Sequence, residues 1–328
     1  MSCPLARTLQ LNRYYRARQS FGPVSHPLAR PGVKLAAGKR MQERRPVPAC
    51  AAANAEGERS PVALVNERVR VLENVEVGPN LHVVTISAPA IAKAVRPGQF
   101  VHMLIPGMEG HILRRPFSIY AADAEAGTVD ILYQVVGFGS DHLTIIDSHC
   151  GLAGDLELMG PVGHGWQVPE GCERVLLVGG GVGAAPLFMF CEQLVSSGVH
   201  VDVVLGAQSK ETLVTRERYA SLIGRDPACA TDDGSYGRAG FCTPLVEEAL
   251  AAGVDGKPYD LVVCCGPEPL MKIVAGQAKA AGVACQISME KRMACGLGAC
   301  LSCVVDTVDG KRRSCVDGPV FDAEKMVW

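Results

Sequence analysis

The sequence predicts an antiparallel β-barrel, then an α/β domain on a parallel sheet, then a small cysteine-rich module. Three observations carry that prediction. Short β-runs broken by turn signals fill residues 62–169. From residue 173, apolar runs alternate with helix-like stretches. Four cysteines, Cys295, Cys300, Cys303 and Cys315, crowd together near the end of the chain.

Composition narrows the classes of function. At 328 residues the chain has room for two or three domains, each with a core. A net charge of −2 gives no general pull toward nucleic acid or anionic lipid, and 5% aromatics makes a base-stacking platform a poor fit. The longest uncharged apolar run, 175–191, is too short and glycine-rich to span a membrane, and no apolar stretch at the start marks a secretory leader. Fourteen cysteines are too many to ignore, but a chain of this length is no small secreted disulfide scaffold. Ten of them (Cys3, Cys50, Cys150, Cys172, Cys191, Cys229, Cys242, Cys264, Cys265 and Cys285) read as small buried hydrophobes in a reducing, cytoplasmic setting.

Taken in order, residues 1–60 form a basic extension. Ten Lys and Arg residues but a single acid, Glu43, lie between Met1 and Arg45, with no apolar period. Such a leader suits an organelle transit peptide or a disordered extension; the expectation is the second, with 49–60 as linker. Residues 61–169 hold the barrel strands, near 69–77, 81–87, 99–105, 117–120 and 129–136, with Gly78-Pro79 and Pro97-Gly98 as turns. Residues 170–287 hold the parallel-sheet runs 175–178, 199–205, 259–264 and 283–288, with a helix over 185–196. Residues 288–328 are the cysteine module.

The cysteine spacing is C-x4-C-x2-C-x11-C, in the order used by plant-type [2Fe–2S] sites. Ferric iron favours thiolates. A tight loop delivers three of them, and Gly296 and Gly298 let amide N–H groups approach the sulfurs. The fourth returns on a strand after a turn at Asp309-Gly310. A structural zinc site remains the alternative, although it usually shows paired C-x2–4-C knuckles. All eight histidines lie at or before His200, so a local site must rely on thiolates or carboxylates. Lys311, Arg312 and Arg313 read as a solvated turn beside Cys315.

Gly179, Gly180, Gly181, Val182 and Gly183 follow an apolar run and precede Ala185-Pro186, giving strand, glycine turn and helix start. That arrangement suits a phosphate, which needs close backbone approach and N–H donors. The next strand ends without an acid, and Asp202 lies inside it, so no ribose reader is evident. Asp232, Asp233 and Glu268 are candidates for cofactor contacts alone. Arg115, Pro116, Phe117 and Ser118 put a planar guanidinium and a hydroxyl on one strand, suited to a pyrophosphate and a flavin ring nitrogen.

These strings occur in a fixed order with Leu132-Tyr133-Gln134, Gly137-Phe138-Gly139-Ser140, Gly160-Pro161 and Cys265-Gly266-Pro267-Glu268. In that order the chain, from about residue 65 to 321, resembles the ferredoxin-reductase family. More narrowly it resembles the electron-transfer subunits of NAD-dependent dihydroorotate dehydrogenases. The resemblance implies FAD contacts from Arg115, Pro116, Phe117, Ser118, Leu132, Tyr133, Gln134, Gly139 and Ser140. It implies NAD contacts from Gly179, Gly180, Gly181, Val182, Gly183, Cys265 and Gly266, and [2Fe–2S] ligation by Cys295, Cys300, Cys303 and Cys315. Ser140 stands where the family usually has Thr, and Phe138 where Lys is frequent. NAD over NADP is implied by the family and not by any single residue.

A nicotinamide exchanges two electrons at once and a [2Fe–2S] group one, while a flavin does both, so the three together imply a two-to-one electron converter. No acid–base dyad is expected. The implied route runs from dihydroorotate through FMN on a separate catalytic subunit, then the cluster and FAD, to NAD, in a heterotetramer of two plus two subunits. This chain has no eight-fold βα pattern with which to oxidise dihydroorotate itself. Two alternatives stay open: a small subunit of another flavin reductase, serving a ferredoxin, hydrogenase or sulfur substrate, and a zinc-stabilised nucleotide-binding regulator.

Overall fold

The computed structural model describes residues 64–328 apart from 109, 153 and 154, all within one compact unit, Ala49–Trp328. The expectations for the basic extension, its linker, Cys3 and Cys50 lie outside the described residues.

The first half is a seven-stranded antiparallel sheet: β1 (Val65–Gly78), β2 (Leu81–Ser87), β3 (Phe100–Leu104), β4 (Arg115–Ser118), β5 (Ala121–Asp123), β6 (Thr128–Gln134) and β7 (Leu156–Val162), in the order β4-β3-β7-β1-β2-β6-β5. Strand β1 serves two neighbours. Its start pairs with β7 and its remainder with β2, and this shared strand lets the sheet curl. Val71, Ile86, Met103, Ile131, Tyr133 and Leu158, drawn from both halves of the sheet, accordingly meet in one core. The turn expected at Gly78-Pro79 is present, with Asn80 in the left-handed region (φ 58°). Short helices α1 (Pro89–Ala94) and α2 (Phe138–Leu143) add Ile91 and Leu143 to that core.

The second half is also seven-stranded, in the order β11-β10-β9-β8-β12-β13 and then β16 (Val320–Asp322). Strands β8 (Arg174–Gly180), β9 (His200–Ala207), β10 (Ala228–Thr231), β11 (Arg238–Ala239), β12 (Leu261–Cys265) and β13 (Ala284–Ser288) run parallel. β8 and β12 are almost wholly apolar because helices cover both faces. Helices α3 (Ala185–Ser196) and α4 (Arg216–Ile223) pack on one face, and α5 (Thr243–Ala252) and α6 (Glu268–Ala280) on the other. The chain crosses from one face to the other between β8 and β12. The glycine turn after β8 therefore opens at the switch point, where parallel sheets hold ligands.

The cysteine module is a loop followed by the hairpin β14 (Val304–Thr307) and β15 (Gly310–Arg313). It then feeds β16 (Val320–Asp322), which pairs antiparallel with β13. The module thus shares a sheet with the α/β domain. Barrel and α/β domain share a core as well: Tyr120 and Leu132 join α3 and β8 in one apolar cluster, and Trp166 Nε1 donates to Pro186 O at 3.0 Å. The Arg218 guanidinium lies over the rings of both Tyr120 and Phe188, 4.4 and 4.3 Å from their centroids. No described helix is long and apolar enough to cross a membrane.

Tyr219 braces the glycine turn: its buried hydroxyl donates to Ala184 O at 2.7 Å. Tyr219→Phe keeps the ring and removes one donor from that carbonyl. It is expected to cost about 0.5–1.5 kcal/mol of stability, measured by denaturant titration.

Candidate functional site

The four tail cysteines come together in two pairs. Cys303 and Cys315, at the two ends of the hairpin, are buried with their sulfurs 3.3 Å apart. Across the loop, Cys295 Sγ accepts N–H donations from Leu297 and from Cys300, each at 3.4 Å. The loop makes these approaches possible by turning twice in the left-handed region, at Gly296 (φ 67°) and Gly298 (φ 81°). Its ends are fixed by buried hydrogen bonds: Ser314 Oγ donates to Met289 O at 2.6 Å, and Ser314 N to Cys303 O at 2.9 Å. Ser302 Oγ accepts from Ala294 N at 3.1 Å and sits 3.2 Å from Cys300 Sγ.

The electrostatics differ between the pairs. Hydrogen bonding from Ser302, then from Cys295, holds the exposed Cys300 thiol down at about 6. Burial, reinforced by Cys303, pushes Cys315 up to about 12. Buried thiols of this kind ionise when a cation compensates them.

The arrangement suits a two-iron group. A tetrahedral metal with metal–sulfur bonds of about 2.3 Å spaces its thiolates by roughly 3.8 Å, and two such pairs serve two metals. Among the described residues, no three His, Cys, Asp or Glu side chains gather around one ion position. Amide donors to sulfur add the stabilisation that anionic clusters draw from their surroundings. The three basic residues divide. Lys311 pairs with Asp306 in solvent at 2.8 Å. Arg313 instead reaches back to Gly298 O at 3.3 Å and pairs with Asp317, so it braces the loop.

On the barrel, Arg115 begins β4 opposite Met103. Its guanidinium donates to Leu113 O and lies against Gly139, where a Cβ would come within 2.6 Å of Arg115 Nε. Arg115 and the start of α2 therefore face one another across a narrow gap. Pro116, Phe117 and Ser118 continue β4, with Pro116 exposed and the other two half-buried. Along β6 the side chains alternate. Leu132 enters the core shared with the α/β domain and Gln134 is exposed. Tyr133 turns into the barrel, where its hydroxyl donates to Asn74 Oδ1 at 3.1 Å and its ring stacks on His82. The Ser140 hydroxyl is occupied within its own turn: it accepts from Val136 N at 2.9 Å and Gly137 N at 3.2 Å and donates to Gly137 O. Tyr133 and Ser140 therefore offer backbone, not side chain, to the outside. Phe138, where a lysine is frequent, stacks on His111 at 4.5 Å.

At the glycine turn, Gly181 is exposed with φ 57°. Gly183 is buried against the loop after β12, where a Cβ would lie 2.7 Å from Cys265 O and from Gly266 Cα. Gly179 and Gly180 are likewise hemmed in, by Ala184 and Leu270. Gly180 and Gly183 are thus demanded by packing on the segment after β12 and Gly179 by the turn itself, while Val182 is half-buried beside them. Cys265 ends β12 next to this turn, but its thiol faces the core, and burial pushes it well up. Asp202 is structural. It accepts from Tyr259 Oη and from Arg225, both at 2.7 Å, near the N-terminal end of β9 and away from the glycine turn. Asp232 and Asp233 sit at the ligand end of the sheet, just beyond β10, with their N–H groups on Ala207 O and Gln208 O. Glu268 pairs with Lys291 at 3.3 Å.

Three groups escaped the sequence reading. Ser288, at the end of β13, and Glu290, two residues further on, lie beside Cys265, and His102 lies buried under the cysteine loop. Burial, then Arg114, lowers His102 to about 4, so the folded protein keeps it neutral where the unfolded chain protonates it.

Comparisons with known proteins bear on the chain as a whole. Residues 290–327 match the family model described as the iron-sulfur cluster binding domain of dihydroorotate dehydrogenase B. Residues 177–276 match the oxidoreductase NAD-binding domain. The dihydroorotate dehydrogenase B (NAD(+)) electron transfer subunit of Desulforamulus reducens is 34% identical over 264 residues, covering 79% of this chain and 97% of that one. Its counterpart in Geobacillus thermodenitrificans is 35% identical over 268 residues, covering 80% and 98%. Among solved structures, an NADH-dependent reduced ferredoxin-NADP oxidoreductase is similar with a TM-score of 0.69 and 28% identity, covering 79% of this chain and 89% of that one. A ferredoxin NADP+ reductase from Neisseria gonorrhoeae, with bound FAD and NADP, shares the fold at a TM-score of 0.54 and 18% identity, over 67% and 92% of the two chains.

Two outcomes follow from the geometry. Gly183→Ala is expected to push the glycine turn off the β12 loop and weaken dinucleotide binding at least tenfold, by fluorescence titration, with flavin content unchanged. Stability is expected to fall by about 1 kcal/mol more in the parent than in His102→Leu as pH drops from 7 to 5.5, because the unfolded state alone takes up the His102 proton. Denaturant titration at the two pH values measures this.

Proposed function

Because the chain belongs to the family of electron-transfer subunits of dihydroorotate dehydrogenase B (NAD(+)), we propose that it carries electrons from dihydroorotate, oxidised at FMN on a separate catalytic subunit, to NAD+ for pyrimidine synthesis. Two sulfur pairs within the matched 290–327 segment, one of them receiving amide donors, carry this reading. Bound [2Fe–2S] and FAD groups supply the conversion between single-electron and paired-electron transfer.

The chain's own residues do the rest. Cys295, Cys300, Cys303 and Cys315 hold the iron–sulfur group, with the Leu297 and Cys300 amides neutralising part of its charge. Arg115 and the backbone of Gly139 and Ser140 hold the flavin pyrophosphate. Ser118 and the backbone of Leu132, Tyr133 and Gln134 orient the ring. Gly181 and Val182 offer N–H groups to the dinucleotide phosphates, while Gly179, Gly180 and Gly183 shape the turn. Cys265 and Gly266 form the floor beneath the nicotinamide through their backbone. The modules divide at about residues 61–169, 170–287 and 288–328.

The partner docks over the cysteine loop. Cys300 is exposed there, and Leu297 and Leu301 present 56% and 62% of their surfaces to solvent. Apolar side chains around a redox centre suit a dry contact with a second protein. A heterotetramer of two catalytic and two electron-transfer subunits, and a cytoplasmic setting consistent with the free cysteines of the described residues, complete the proposal.

Purified anaerobically, the chain is expected to show flavin bands with broad iron–sulfur absorption and, once reduced, an EPR signal. Cys300→Ala is expected to lose the EPR signal and keep FAD. Mixed with a dihydroorotate-oxidising FMN subunit, the parent is expected to support dihydroorotate-dependent NAD+ reduction. A colourless, zinc-containing chain would overturn the reading. A coloured chain that couples to a ferredoxin and not to that subunit would assign it to another reductase.

A further inference from the structure

We propose that His102 is a positioning residue for the iron–sulfur group: it seats the cysteine loop on the flavin barrel and raises the reduction potential of the group that the loop holds. The inference rests on the reading that the four tail cysteines hold [2Fe–2S].

His102 occupies the middle of β3, where Phe100, Val101 and Met103 are all buried and apolar. Its backbone registers with Pro116 in the Arg115–Ser118 strand on one side and with Met159 of β7 on the other. Its side chain leaves the barrel toward the cysteine loop. Nε2 lies 3.4 Å from Met293 Sδ, two residues before Cys295. The Cδ2 and Cε1 atoms face Gly296, one residue after Cys295, so closely that a Cβ there would be 3.2 Å from each. Met293 in turn packs with Phe100, Cys303 and Cys315. One imidazole thus connects the proposed flavin-binding strand with both flanks of a cluster ligand.

Packing does not explain a histidine here. The residue is 0% exposed, and Nδ1 is buried with no hydrogen-bond partner among the described residues. A leucine would fill an apolar site without an orphaned nitrogen. The direction of the ring supplies the reason. A thioether has no proton to give, so Nε2 carries the hydrogen and Nδ1 the lone pair. The Cδ2–Nε2–Cε1 edge, the positive end of the neutral imidazole, therefore faces the loop. Reduction adds one electron to the iron–sulfur group and involves no bond or proton at His102. In a dry, low-dielectric setting, a fixed positive edge favours the more negative reduced state.

An EPR-monitored redox titration of the holoprotein at pH 7.5 tests this, with iron, acid-labile sulfide and FAD measured in each sample. His102→Leu is expected to retain the parental iron and sulfide per FAD and to show a lower midpoint potential. His102→Gln, which restores an N–H near Met293, is expected to recover part of the difference. Unchanged midpoints in both variants would overturn the inference. If His102→Leu loses the group, His102→Gln and Met293→Leu are measured instead: lowered midpoints support the role, and parental midpoints reject it. Absence of iron and sulfide from the parent would instead strike the function on which the inference rests.

Discussion

Two pairs of sulfurs, brought together by one loop and the hairpin behind it, are the constraint on which this molecule depends. Left alone, the Cys315 thiol resists ionisation: burial pushes it up, and Cys303 at 3.3 Å reinforces that. A cationic centre reverses that balance, because it compensates several buried anions at once. The protein prepares for it with local devices. Two glycines turn the loop, amides point at Cys295, and a buried serine ties the hairpin to Met289. Metal binding and folding of this module are therefore coupled.

The module is fixed to both larger domains, and that connection turns a metal site into an electron carrier. β16 extends the α/β sheet through β13, while Phe100 and His102 meet the loop from the barrel. The barrel and the α/β domain are joined in turn by Tyr120, Leu132 and Trp166, which belong to the core around α3. Rotating any one part would expose apolar surface shared with another. Electron transfer needs fixed separations, and a shared core enforces them more stiffly than a flexible linker.

Much of this could be seen in the residues alone. Cysteine spacing announced the loop and the returning strand because ligand geometry constrains sequence spacing directly. The glycine turn was visible because strand, turn and helix are contiguous. Legibility ended where tertiary contact decides. Two of the four turn glycines, Gly180 and Gly183, are required by the segment that begins at Cys265–Gly266, over eighty residues away in sequence. The Ser140 hydroxyl and the Tyr133 ring turn inward, which alternation along a strand leaves open until a core is assigned. A lone histidine in an apolar strand, such as His102, looks like any other buried residue until the loop above it is in place. β16, three residues long, carries too little pattern to reveal its pairing with β13.

Mössbauer spectroscopy of the chain reconstituted with isotopically enriched iron and sulfide shows whether these thiols hold a two-iron group. The oxidised protein is expected to show a diamagnetic ground state, with all iron in tetrahedral sulfur sites, and separate ferric and ferrous signatures after uptake of one electron. A single paramagnetic iron site, or iron that washes out while the fold persists, would contradict it.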